Sequence, residues 1–570
     1  MKNFTVARIF NEIADLLEIR GDNYFKVRAY RKGAERVATL PEKIEDVVTE
    51  GKLANLDGIG KGLAGKIEEI VSTGDCSFHE ELVDELPPGL IEVLKVPGVG
   101  PKMAQLFFTE LDVTSVDKLL QAARDRKIRK LPGMGAKKEF NIIDAIERQQ
   151  NWKGRYLLSQ GYRVAGEILY YLRNLPQVVK AEFAGSLRRS KETIGDLDLL
   201  VAAREREENI MDLFVNLPLV REVVNHGETK SSIITMSGIQ VDLRVVSPEE
   251  YPAALVYFTG SRAHNVHLRQ LAREAGWKLN EYGLFAEDSP LPVKGESDLY
   301  SHLGLEYIPP EIREDRGEID AASRGALPRL LEIGDMKGDL HLHTTWSDGG
   351  NTIEEMAREA GEMGYEYMAI CDHSRSLKIA GGLTVAQLRE QMEAIDLLNS
   401  KGGLIPILKG VEVDILRDGK LDHDDKLLAE MDIVVASIHS GFRQTEEEIT
   451  TRVLRAIENP NVDIIAHPTG RMLEKREPYA IDVEKIIKAA RENDTALELN
   501  ASPERLDLND RYLMMARDAG VKVSINSDAH NCEQLHFRKY GIGTARRAWL
   551  ECDDVINTYT LEKLLDFVAK

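Results

Sequence analysis

A chain of 570 residues is too long for one hydrophobic core, so we expect three or more domains. The hydrophobic content of 43% excludes a disordered or fibrous protein, and no apolar run reaches the length that crosses a membrane. The formal net charge of −21 neither supports nor excludes DNA as a partner, since metal-ligating carboxylates are acidic and helix N-termini bind phosphates with little formal charge. Scattered cysteines and a first segment without the pattern of a secretory signal predict a protein of the reducing cytoplasm.

The first 150 residues have the apolar spacing of helices, interrupted by three short Gly-x-Gly turns. One such turn is weak evidence, because glycine ends many helices for structural reasons. Three of them favour helix-hairpin-helix elements, whose glycines let the backbone approach a DNA phosphate and aim N–H groups at it. Plain helix connectors are the alternative. The candidate DNA-binding glycines are Gly58, Gly60, Gly98, Gly100, Gly133 and Gly135.

From about residue 183 strands mix with helices, and two of the strands carry carboxylates. Asp196 and Asp198 lead into an apolar strand, and they point the same way because side chains in a strand alternate between faces. A later strand, residues 239–244, offers Asp242. Adjacent carboxylates repel one another unless cations lie between them, and two Mg²⁺ ions meet this need. An isolated Asp-x-Asp pair is more often the solvated end of a strand.

A glycine turn just before the pair favours the metal site. Gly185 and Ser186 precede two arginines, and such a turn presents backbone N–H groups, Ser186 and Arg189 to a triphosphate tail. A triphosphate on one side and paired carboxylates on the other predict two-metal nucleotidyl transfer. One ion would activate a primer 3′-hydroxyl, and the other would stabilise the pyrophosphate leaving group.

The order and spacing of these motifs resemble family X DNA polymerases. The matching segments are Gly185-Ser186, Gly195-Asp196-Leu197-Asp198, Val241-Asp242-Leu243-Arg244 and Tyr257-Phe258-Thr259-Gly260-Ser261. The resemblance implies that the three aspartates bind catalytic Mg²⁺ or Mn²⁺. It places the sugar of the nucleotide beside Tyr257, Phe258 and Gly260, and the new base near Asn265. The implied nucleotide-binding residues are Gly185, Ser186, Arg189, Gly195, Tyr257, Phe258, Gly260 and Asn265.

The stretch Phe25–Arg31 and the glycine turns resemble the small lyase domain and the DNA-gripping hairpins of the same family. Lys66 falls where family members keep a Schiff-base lysine that removes sugar-phosphate remnants, although a lysine on a helix is as readily a solvated charge. Two departures bear on rate and base selectivity. Gln240 stands where an animal repair polymerase of the family has an arginine, and Arg262 stands where it has an acidic residue.

From Gly338 onward short apolar strands alternate with amphipathic helices, which predicts parallel strands with helical crossovers that close into a barrel. The predicted strands include Tyr367–Cys371, Leu404–Leu408, Ile433–Ser437, Val462–Ala466, Leu497–Asn500 and Val521–Asn526. A histidine or carboxylate follows or ends successive strands, at the edge where catalytic groups of barrels gather. This repetition predicts a site for two or three Zn²⁺, Mn²⁺ or Fe²⁺ ions, which activate water for hydrolysis.

The order of these motifs resembles the polymerase-and-histidinol-phosphatase (PHP) domain. The positions that match its ligand set are His341, His343, Asp348, His373, Glu412, His439, His467, Asp528 and His530. His423 and His536 fall outside the pattern and are interpreted as ordinary surface residues. Arg471 could hold a substrate phosphate or be a solvated charge.

The two halves together are characteristic of bacterial and archaeal family X polymerases. The resemblance implies a multidomain α/β protein with a helix-hairpin-helix N-terminal region, a nucleotidyltransferase palm with a mixed β-sheet and a C-terminal distorted (β/α) barrel. The expected divisions are a helical lyase-like DNA-binding domain (1–90), a helix-hairpin-helix subdomain (91–150), the palm (151–247), a nucleotide-selection subdomain (248–315), a linker (316–335) and a PHP phosphoesterase barrel (336–570).

The resemblance implies DNA synthesis that fills short gaps in base excision repair, with gapped or nicked DNA and deoxynucleoside triphosphates as partners and no membrane. The barrel would act as a 3′→5′ exonuclease, with 3′-phosphate removal and abasic-site cleavage as further expectations. Two alternatives stay open. The barrel could hydrolyse a small phosphate ester unrelated to DNA, or the N-terminal half could bind DNA ends without catalysis.

Overall fold

The computed structural model describes residues 2–38, 44–49, 51–53, 56, 59–74, 76–87, 89–94, 96–151, 154–204, 208–287 and 289–569. The chain divides into two compact units, residues 1–153 and 154–570. In the described part of the chain, no helix is both long and apolar enough to span a bilayer.

The first unit consists of helices around an apolar core, as the sequence predicts. Phe10, Ile13 and Leu17 recur at intervals of three and four residues in the first helix and are fully buried. Gly74 ends the fourth helix with a φ of 90°, a conformation that glycine adopts at no steric cost. The helices are α1 Lys2–Arg20, α2 Tyr24–Ala38, α3 Ile44–Thr49, α4 Lys61–Thr73, α5 Ser77–Glu85, α6 Gly89–Leu94, α7 Pro101–Leu111, α8 Val116–Arg124 and α9 Ala136–Asn151, with a 3₁₀ turn at Ile128–Lys130.

The second unit begins with a mixed five-stranded sheet, called the central sheet below. Its elements are β1 Tyr156–Leu157, α10 Leu158–Arg173, β2 Val178–Phe183, α11 Gly185–Arg188, β3 Thr193–Ile194, β4 Asp196–Ala203, α12 Glu208–Val215, β5 Val220–His226, β6 Lys230–Thr235 and β7 Gln240–Val246. The strand order is β2-β4-β7-β6-β5, and β1 pairs separately with β3. Only β4 and β7 run parallel; the other neighbours in the sheet are antiparallel. The predicted mixed sheet is confirmed.

A helical subdomain follows the central sheet. Its elements are α13 Tyr251–Thr259, α14 Arg262–Glu274, β8 Trp277–Asn280, β9 Gly283–Ala286, β10 Ser289–Pro290, α15 Glu296–His302, a 3₁₀ turn at Pro310–Ile312 and α16 Glu318–Ser323. The sequence predicts a linker over residues 316–335, and the charged stretch 311–318 that leads into it looks like part of it; in the structure Arg313 and Glu318 are fully buried and Ile319 packs in the core of this subdomain. Ion pairs and hydrogen bonds compensate these buried charges, which is why a charged stretch lies inside the fold.

The C-terminal region forms a nearly closed barrel of parallel strands, as predicted. Its elements are β11 Gly338–Leu342, α17 Ile353–Glu362, β12 Tyr367–Ile370, α18 Val385–Lys401, β13 Ile407–Asp414, α19 Asp425–Leu428, β14 Ile433–Ser437, α20 Glu446–Ile457, β15 Ile464–Ile465, α21 Val483–Glu492, β16 Ala496–Asn500, α22 Asp510–Asp518, β17 Val523–Asn526, α23 Arg538–Arg547 and α24 Leu561–Val568. Further 3₁₀ turns lie at Ile333–Asp335, Lys378–Ala380, Cys532–Phe537, Cys552–Asp554 and Ile556–Thr558. The strands follow one another in chain order, and His343 N donates to Ala529 O at 2.9 Å where the first strand meets the last.

One strand of the barrel differs from its prediction in a way that affects the site. The sequence predicts a strand over residues 404–408, whereas β13 runs from Ile407 to Asp414. Gly410 interrupts the apolar run, so the sequence pattern does not indicate that the strand continues beyond residue 408. A Cβ there would lie 2.6 Å from the Sγ of Cys371, so the glycine allows close packing of neighbouring strands. Glu412 therefore projects from within a strand.

Two candidate active sites

The first candidate site lies where β4 and β7 run side by side. Their register places Asp198 beside Asp242, and Asp196 beside Gln240. Asp196 and Asp198 are two residues apart on one strand and therefore project from the same face of the sheet. The structure thus brings together the three carboxylates that the sequence singles out.

Electrostatic repulsion makes this cluster suitable for cations. Burial, together with the negative charges of Asp196 and Asp242, raises the pKa of Asp198 to about 7. Burial also acts to raise the pKa of Asp242, but hydrogen bonds from Lys230 and Gln240 outweigh it and the pKa is lowered. A divalent cation would offset the repulsion between Asp198 and the two neighbouring carboxylates. The donor set therefore fits Mg²⁺ or Mn²⁺.

Two neighbouring side chains hold the third carboxylate. Lys230 Nζ lies 2.8 Å from Asp242 Oδ2, and Gln240 Nε2 donates to Asp242 Oδ1 at 3.1 Å. Gln240 is a position where the sequence departs from the family pattern. Its amide supplies a neutral hydrogen bond, whereas an arginine would supply a stronger, charged one.

A glycine turn approaches the carboxylates too closely for any side chain. Gly185 has a φ of 59°, and a Cβ placed on it would lie 2.2 Å from Asp198 Oδ2. The neighbouring Ala184 N donates to the carbonyl oxygen of Asp198 at 2.8 Å. Both backbone conformation and space therefore require glycine at this position.

A cavity of about 470 Å³ opens beside this turn. Its lining residues are Gly185, Ser186, Arg189, Asp196, Asp198, Tyr257, Phe258, Thr259, Gly260, Arg262, Asn265 and Arg269. Asn265 is held in the lining because its Nδ2 donates to Tyr257 O at 2.7 Å. Of the predicted nucleotide residues only Gly195 lies outside the lining, and Arg262, the second departure from the family pattern, lies within it. The cavity therefore joins the predicted triphosphate turn to the predicted sugar and base neighbours.

Lys66, the predicted lyase residue, lies on α4 of the first unit. Its Nζ is 4.3 Å from the centre of the Phe78 ring. This cation–π contact gives the ammonium group a structural partner. The lyase role stays a prediction.

The glycine turns of the first unit fall into two groups. Gly98 and Gly133 have φ values of 83° and 70°, so backbone conformation alone explains a glycine at both positions. Gly58 lies outside the described residues.

Backbone conformation explains the remaining three glycines less well. Gly60 and Gly100 cap the N-termini of α4 and α7 in extended conformations. A Cβ at either position, or at Gly135, would meet no described atom within 4 Å. The described residues leave room for a side chain at these three positions. A phosphate that approached the helix N-termini closely would occupy this room, and glycine would then be required.

The second candidate site lies at the carboxyl ends of the barrel strands, where all nine predicted ligand positions converge. Three groups place one ligand atom per residue within 4.8 Å of one another: His343, Asp348, His373 and His530; His341, His343 and Asp528; His373, Glu412 and His439. His467 adjoins the third group, with Nε2 3.2 Å from Glu412 Oε1. Because the groups share His343 and His373, the arrangement fits two or three neighbouring ions.

Buried atoms in this site lack the hydrogen bonds that burial normally requires. His373 Nδ1 lies 2.6 Å from Glu412 Oε2, yet neither atom has a hydrogen bond of acceptable geometry with a described residue. The same is true of the Nε2 atoms of His341 and His343 among the residues that the structure describes. Unpaired imidazole nitrogens and carboxylate oxygens that face common points fit Zn²⁺, Mn²⁺ or Fe²⁺.

Charge pairing shifts the pKa values within this site. Burial opposes protonation of His341, but Glu498 and Glu412 raise its pKa well above the usual range. Burial acts to raise the pKa of Glu412, and the imidazoles of His439 and His373 nevertheless hold it well below the usual range. The raised pKa of His341 and the lowered pKa of Glu412 show that the charges of this site are coupled, and binding of a metal ion at His341 would compete with its proton.

Two carboxylates that the sequence analysis missed orient the histidines. His341 Nδ1 lies 2.7 Å from Glu498 Oε1, and His439 Nδ1 lies 2.7 Å from Asp414 Oδ1. Such partners fix the tautomer and the ring orientation of a metal-binding histidine. The available signal was an acidic residue inside an apolar strand, as in Leu497-Glu498-Leu499.

The prediction that His423 is a surface residue is wrong, because it is only 4% exposed. The preceding Asp422 accepts a hydrogen bond from Ser376 N at 2.7 Å and anchors this loop against the barrel. His536 is exposed, as predicted.

Arg471 is neither a solvated charge nor free to hold a phosphate. It is 7% exposed, and it donates to Arg505 O at 2.9 Å and to Glu192 Oε2 at 2.7 Å. Because Glu192 precedes β3, Arg471 ties the barrel to the region of the central sheet.

Family models match four parts of the chain. They are a helix-hairpin-helix domain over residues 1–76, a SAM-like helix-hairpin-helix tandem over 90–148, a DNA polymerase beta thumb over 254–314 and a PHP domain over 339–502.

Whole-chain similarity is found with a bacterial enzyme. The chain is 42% identical over 569 residues, 99% of each protein, to the DNA polymerase/3′-5′ exonuclease PolX of Bacillus subtilis (strain 168). Shorter relatives match about two fifths of the chain. It is 32% identical to a probable phosphatase of Thermoanaerobacter sp. (strain X514), over 39% of this chain and 89% of that protein. It is 30% identical to a probable phosphatase of Syntrophotalea carbinolica, over 40% and 95% respectively.

Proposed function

Because the chain belongs to the family X DNA polymerases that carry a C-terminal PHP domain, we propose that it fills short gaps in DNA at the central sheet and trims 3′ ends at the barrel. As a member of this family it is a DNA polymerase and a metal-dependent 3′–5′ exonuclease. The observation that carries the proposal is the register that sets Asp198 beside Asp242, next to the turn at Gly185.

In the proposed polymerase reaction, Asp196, Asp198 and Asp242 hold two Mg²⁺ or Mn²⁺ ions. When bound, such ions lower the pKa of a primer 3′-hydroxyl and neutralise the charge of the leaving pyrophosphate. Lys230 and Gln240 keep Asp242 ionised and fix its oxygens, so that this ligand is ready before the substrates bind.

The cavity beside the carboxylates holds the deoxynucleoside triphosphate in this proposal. Tyr257, Phe258 and Gly260 flank the sugar and discourage ribonucleotides, and Asn265 lies near the minor-groove edge of the new base. The triphosphate ligands are Gly185, Ser186 and Arg189, whereas Gly195, outside the lining of the cavity, stays a predicted nucleotide-binding residue without an assigned contact. An arginine and backbone N–H groups suit this task because they bind phosphate oxygens with charge-assisted hydrogen bonds.

We propose that the barrel site acts on the 3′ ends of DNA with two or three Zn²⁺, Mn²⁺ or Fe²⁺ ions. The nine convergent ligands hold the ions, and Glu498 and Asp414 orient the imidazoles. A polymerase needs a clean 3′-hydroxyl, so removal of 3′-phosphates and cleavage at abasic sites are compatible secondary reactions. The phosphatase relatives favour a second candidate, hydrolysis of a small phosphate ester.

The first unit would grip gapped or nicked DNA through its glycine turns. In this proposal the N-termini of α4 and α7, which follow Gly60 and Gly100 and have no side-chain cap, approach the DNA phosphates. Removal of a 5′-deoxyribose phosphate by Lys66 would complete base excision repair, and a borohydride trap of the Schiff base tests it. Lys61→Ala, on the same helix, is the matched control for Lys66→Ala.

An end-labelled primer in a one-nucleotide-gapped duplex tests both activities, with Mn²⁺ and with or without deoxynucleotides. We expect Asp196→Ala/Asp198→Ala to abolish extension only, and His341→Ala/His343→Ala to abolish shortening only. If the wild-type protein shortens the primer but never extends it, the N-terminal half only positions DNA. If it extends the primer but releases phosphate only from small esters, the barrel is not an exonuclease.

A further inference from the structure

A buried arginine of the barrel contacts Arg189, which lines the cavity beside the carboxylates of the central sheet. Arg547, at the end of α23, is 4% exposed, and its Nη1 donates to Arg189 O at 2.7 Å. The same nitrogen lies 3.0 Å from Glu314 Oε1, and this oxygen also accepts a hydrogen bond from Arg189 Nε at 3.0 Å. A barrel residue therefore contacts the backbone of Arg189 directly and its side chain through Glu314.

These contacts determine how Arg189 faces the cavity that it lines. Its Nε binds Glu314 and its Nη1 donates to Thr259 O. Within the described part of the chain, Nη2 has no hydrogen-bond partner, so two contacts fix the guanidinium plane and a third nitrogen is available to a phosphate. A guanidinium held in one orientation loses less conformational entropy when it binds its ligand.

Glu314 is the shared acceptor in this arrangement, and it depends on Arg547. Burial acts to raise the pKa of Glu314, but Arg547, Arg189 and Lys191 lower it to about 2, with Arg547 the strongest of the three. The carboxylate is therefore ionised at neutral pH. Loss of Arg547 would remove one of the three cations that hold this buried carboxylate, together with the direct contact to Arg189 O, so Glu314 and Arg189 would no longer be fixed in one arrangement.

The barrel also fixes Arg547 itself. Its Nη2 donates to Asp510 Oδ2 on α22 at 2.8 Å. The backbone of α23 lies directly against the residue that follows Arg189, because a Cβ on Gly543 would be 2.9 Å from Ser190 Cβ. Arg547 is thus held between Asp510 of the barrel and the turn from Gly185 to Ser190, called the nucleotide turn below.

We propose that Arg547 is a positioning residue for the polymerase reaction, and that it orients Arg189 toward the triphosphate of the incoming nucleotide through Glu314. The inference rests on the proposed role of Arg189 in binding the triphosphate. The barrel then has a second task besides hydrolysis, because it completes the nucleotide site of the other active centre.

The test compares two neighbouring arginines of α23 in the full-length protein. Arg547→Met should raise the KM for the deoxynucleotide in gapped-primer extension by about 10-fold or more, because a charge-assisted restraint on a ligand is lost. Its kcat should change by less than about 3-fold, because the carboxylates are untouched. Shortening of the same primer without deoxynucleotides should be unchanged.

Arg546→Met is the matched control. Arg546 also crosses from the barrel, with Nε 2.8 Å from Glu311 Oε1 and Nη1 3.0 Å from Leu331 O, but it does not contact the nucleotide turn. Its KM for the deoxynucleotide should stay within about 2-fold of the wild-type value, since ordinary surface and interface substitutions have small effects. An equal rise in KM for both variants would overturn the proposal. Any weakened contact of α23 with the rest of the protein would then raise the KM, and Arg547 would have no specific role.

A second variant keeps the proposal testable if Arg547→Met does not fold. Glu314→Gln leaves Arg547 in place and should also raise the KM for the deoxynucleotide, and the double variant should be no worse than either single one. An unchanged KM in Glu314→Gln, or additive effects in the double variant, would overturn the proposal. A wild-type protein that never extends the primer would instead contradict the proposed polymerase function.

Discussion

The two candidate sites are built in opposite ways. In the central sheet, Asp196 and Asp198 border an open cavity of about 470 Å³, and Asp196 is exposed. In the barrel, His341, His343 and Glu412 are at most 2% exposed. A buried site with three or more protein ligands for each ion is complete once the ions are bound, whereas Mg²⁺ in an open site takes further ligands from substrate phosphates. We therefore propose that the barrel site is preassembled and that the nucleotide completes the central-sheet site.

The largest expected effect concerns the open site, which has few protein ligands to spare. Asp198→Asn removes a proposed ligand of the catalytic ions, so it should reduce primer extension by roughly 1,000-fold, since metal charge stabilisation is worth several kcal/mol. Single-nucleotide extension on the gapped duplex measures this loss, and shortening of the 3′ end serves as the internal control. Extension above a tenth of the wild-type rate would show that the other carboxylates suffice.

A smaller effect is expected from the turn that adjoins the same carboxylate. Gly185→Ala would place a methyl group against Asp198 Oδ2 at a position with a φ of 59°. We expect extension to fall by about 100-fold, because displacement of a ligand by an ångström is costly. Gly166→Ala is the control, since a Cβ at Gly166 meets no described atom within 4 Å. Equal losses in both variants would point to a general folding defect.

In the barrel, a change beside the ligands should have a graded effect. Glu498→Gln keeps the shape but removes the charge that faces His341 Nδ1. Exonuclease activity or metal affinity should fall by about 10- to 100-fold, the usual range for partners that orient a metal-binding histidine. Glu504→Gln, which removes a partly exposed carboxylate paired with Lys475, should leave both unchanged. If shortening is unaffected in Glu498→Gln, the ligands do not need this support.

The smallest effect concerns an ion pair that joins the central sheet to the helical subdomain. Glu296 pairs with Arg188 at 2.6 Å and with Arg313 at 2.8 Å. Burial acts to raise the pKa of Glu296, but the two arginines lower it from 4.5 to about 2. Because the folded-state pKa is lowered, this carboxylate stabilises the fold fully above about pH 4.5, and the contribution is lost as the pH falls toward 2.

Chemical denaturation at a series of pH values checks this expectation. The difference in unfolding free energy between the wild-type protein and Glu296→Gln should shrink by about 1 kcal/mol from pH 7 to pH 4. A difference that stays constant over this range would mean that Glu296 has an ordinary pKa in the folded protein.

Much of both sites follows from local sequence patterns. The barrel ligands follow or end apolar strands, and the alternation of strand side chains puts Asp196 and Asp198 on one face. These regularities depend only on neighbours in the chain. For the same reason the mixed sheet, the helical first unit and the barrel could be predicted.

Long-range pairing explains what the sequence analysis missed. Arg313 and Glu318 look like linker residues until their buried partners are known. Arg471 could be interpreted as a phosphate ligand or a solvated charge, because its partner Glu192 is distant in the sequence. His423 looks exposed because charged residues surround it in the sequence. In the fold, one of these residues, Asp422, accepts a hydrogen bond from Ser376 N and anchors the loop against the barrel. Charge patterns report exposure only when no partner lies across the fold.

Metal retention tests the difference between the two sites most directly. The protein is loaded with Mn²⁺, passed through a desalting column and analysed for bound metal, beside Asp196→Ala/Asp198→Ala and His341→Ala/His343→Ala. We expect the wild-type protein and the aspartate variant to retain about two or three ions per chain, and the histidine variant to retain almost none. Loss of the ions from the aspartate variant, or a wild-type protein that retains none, would contradict a preassembled barrel site.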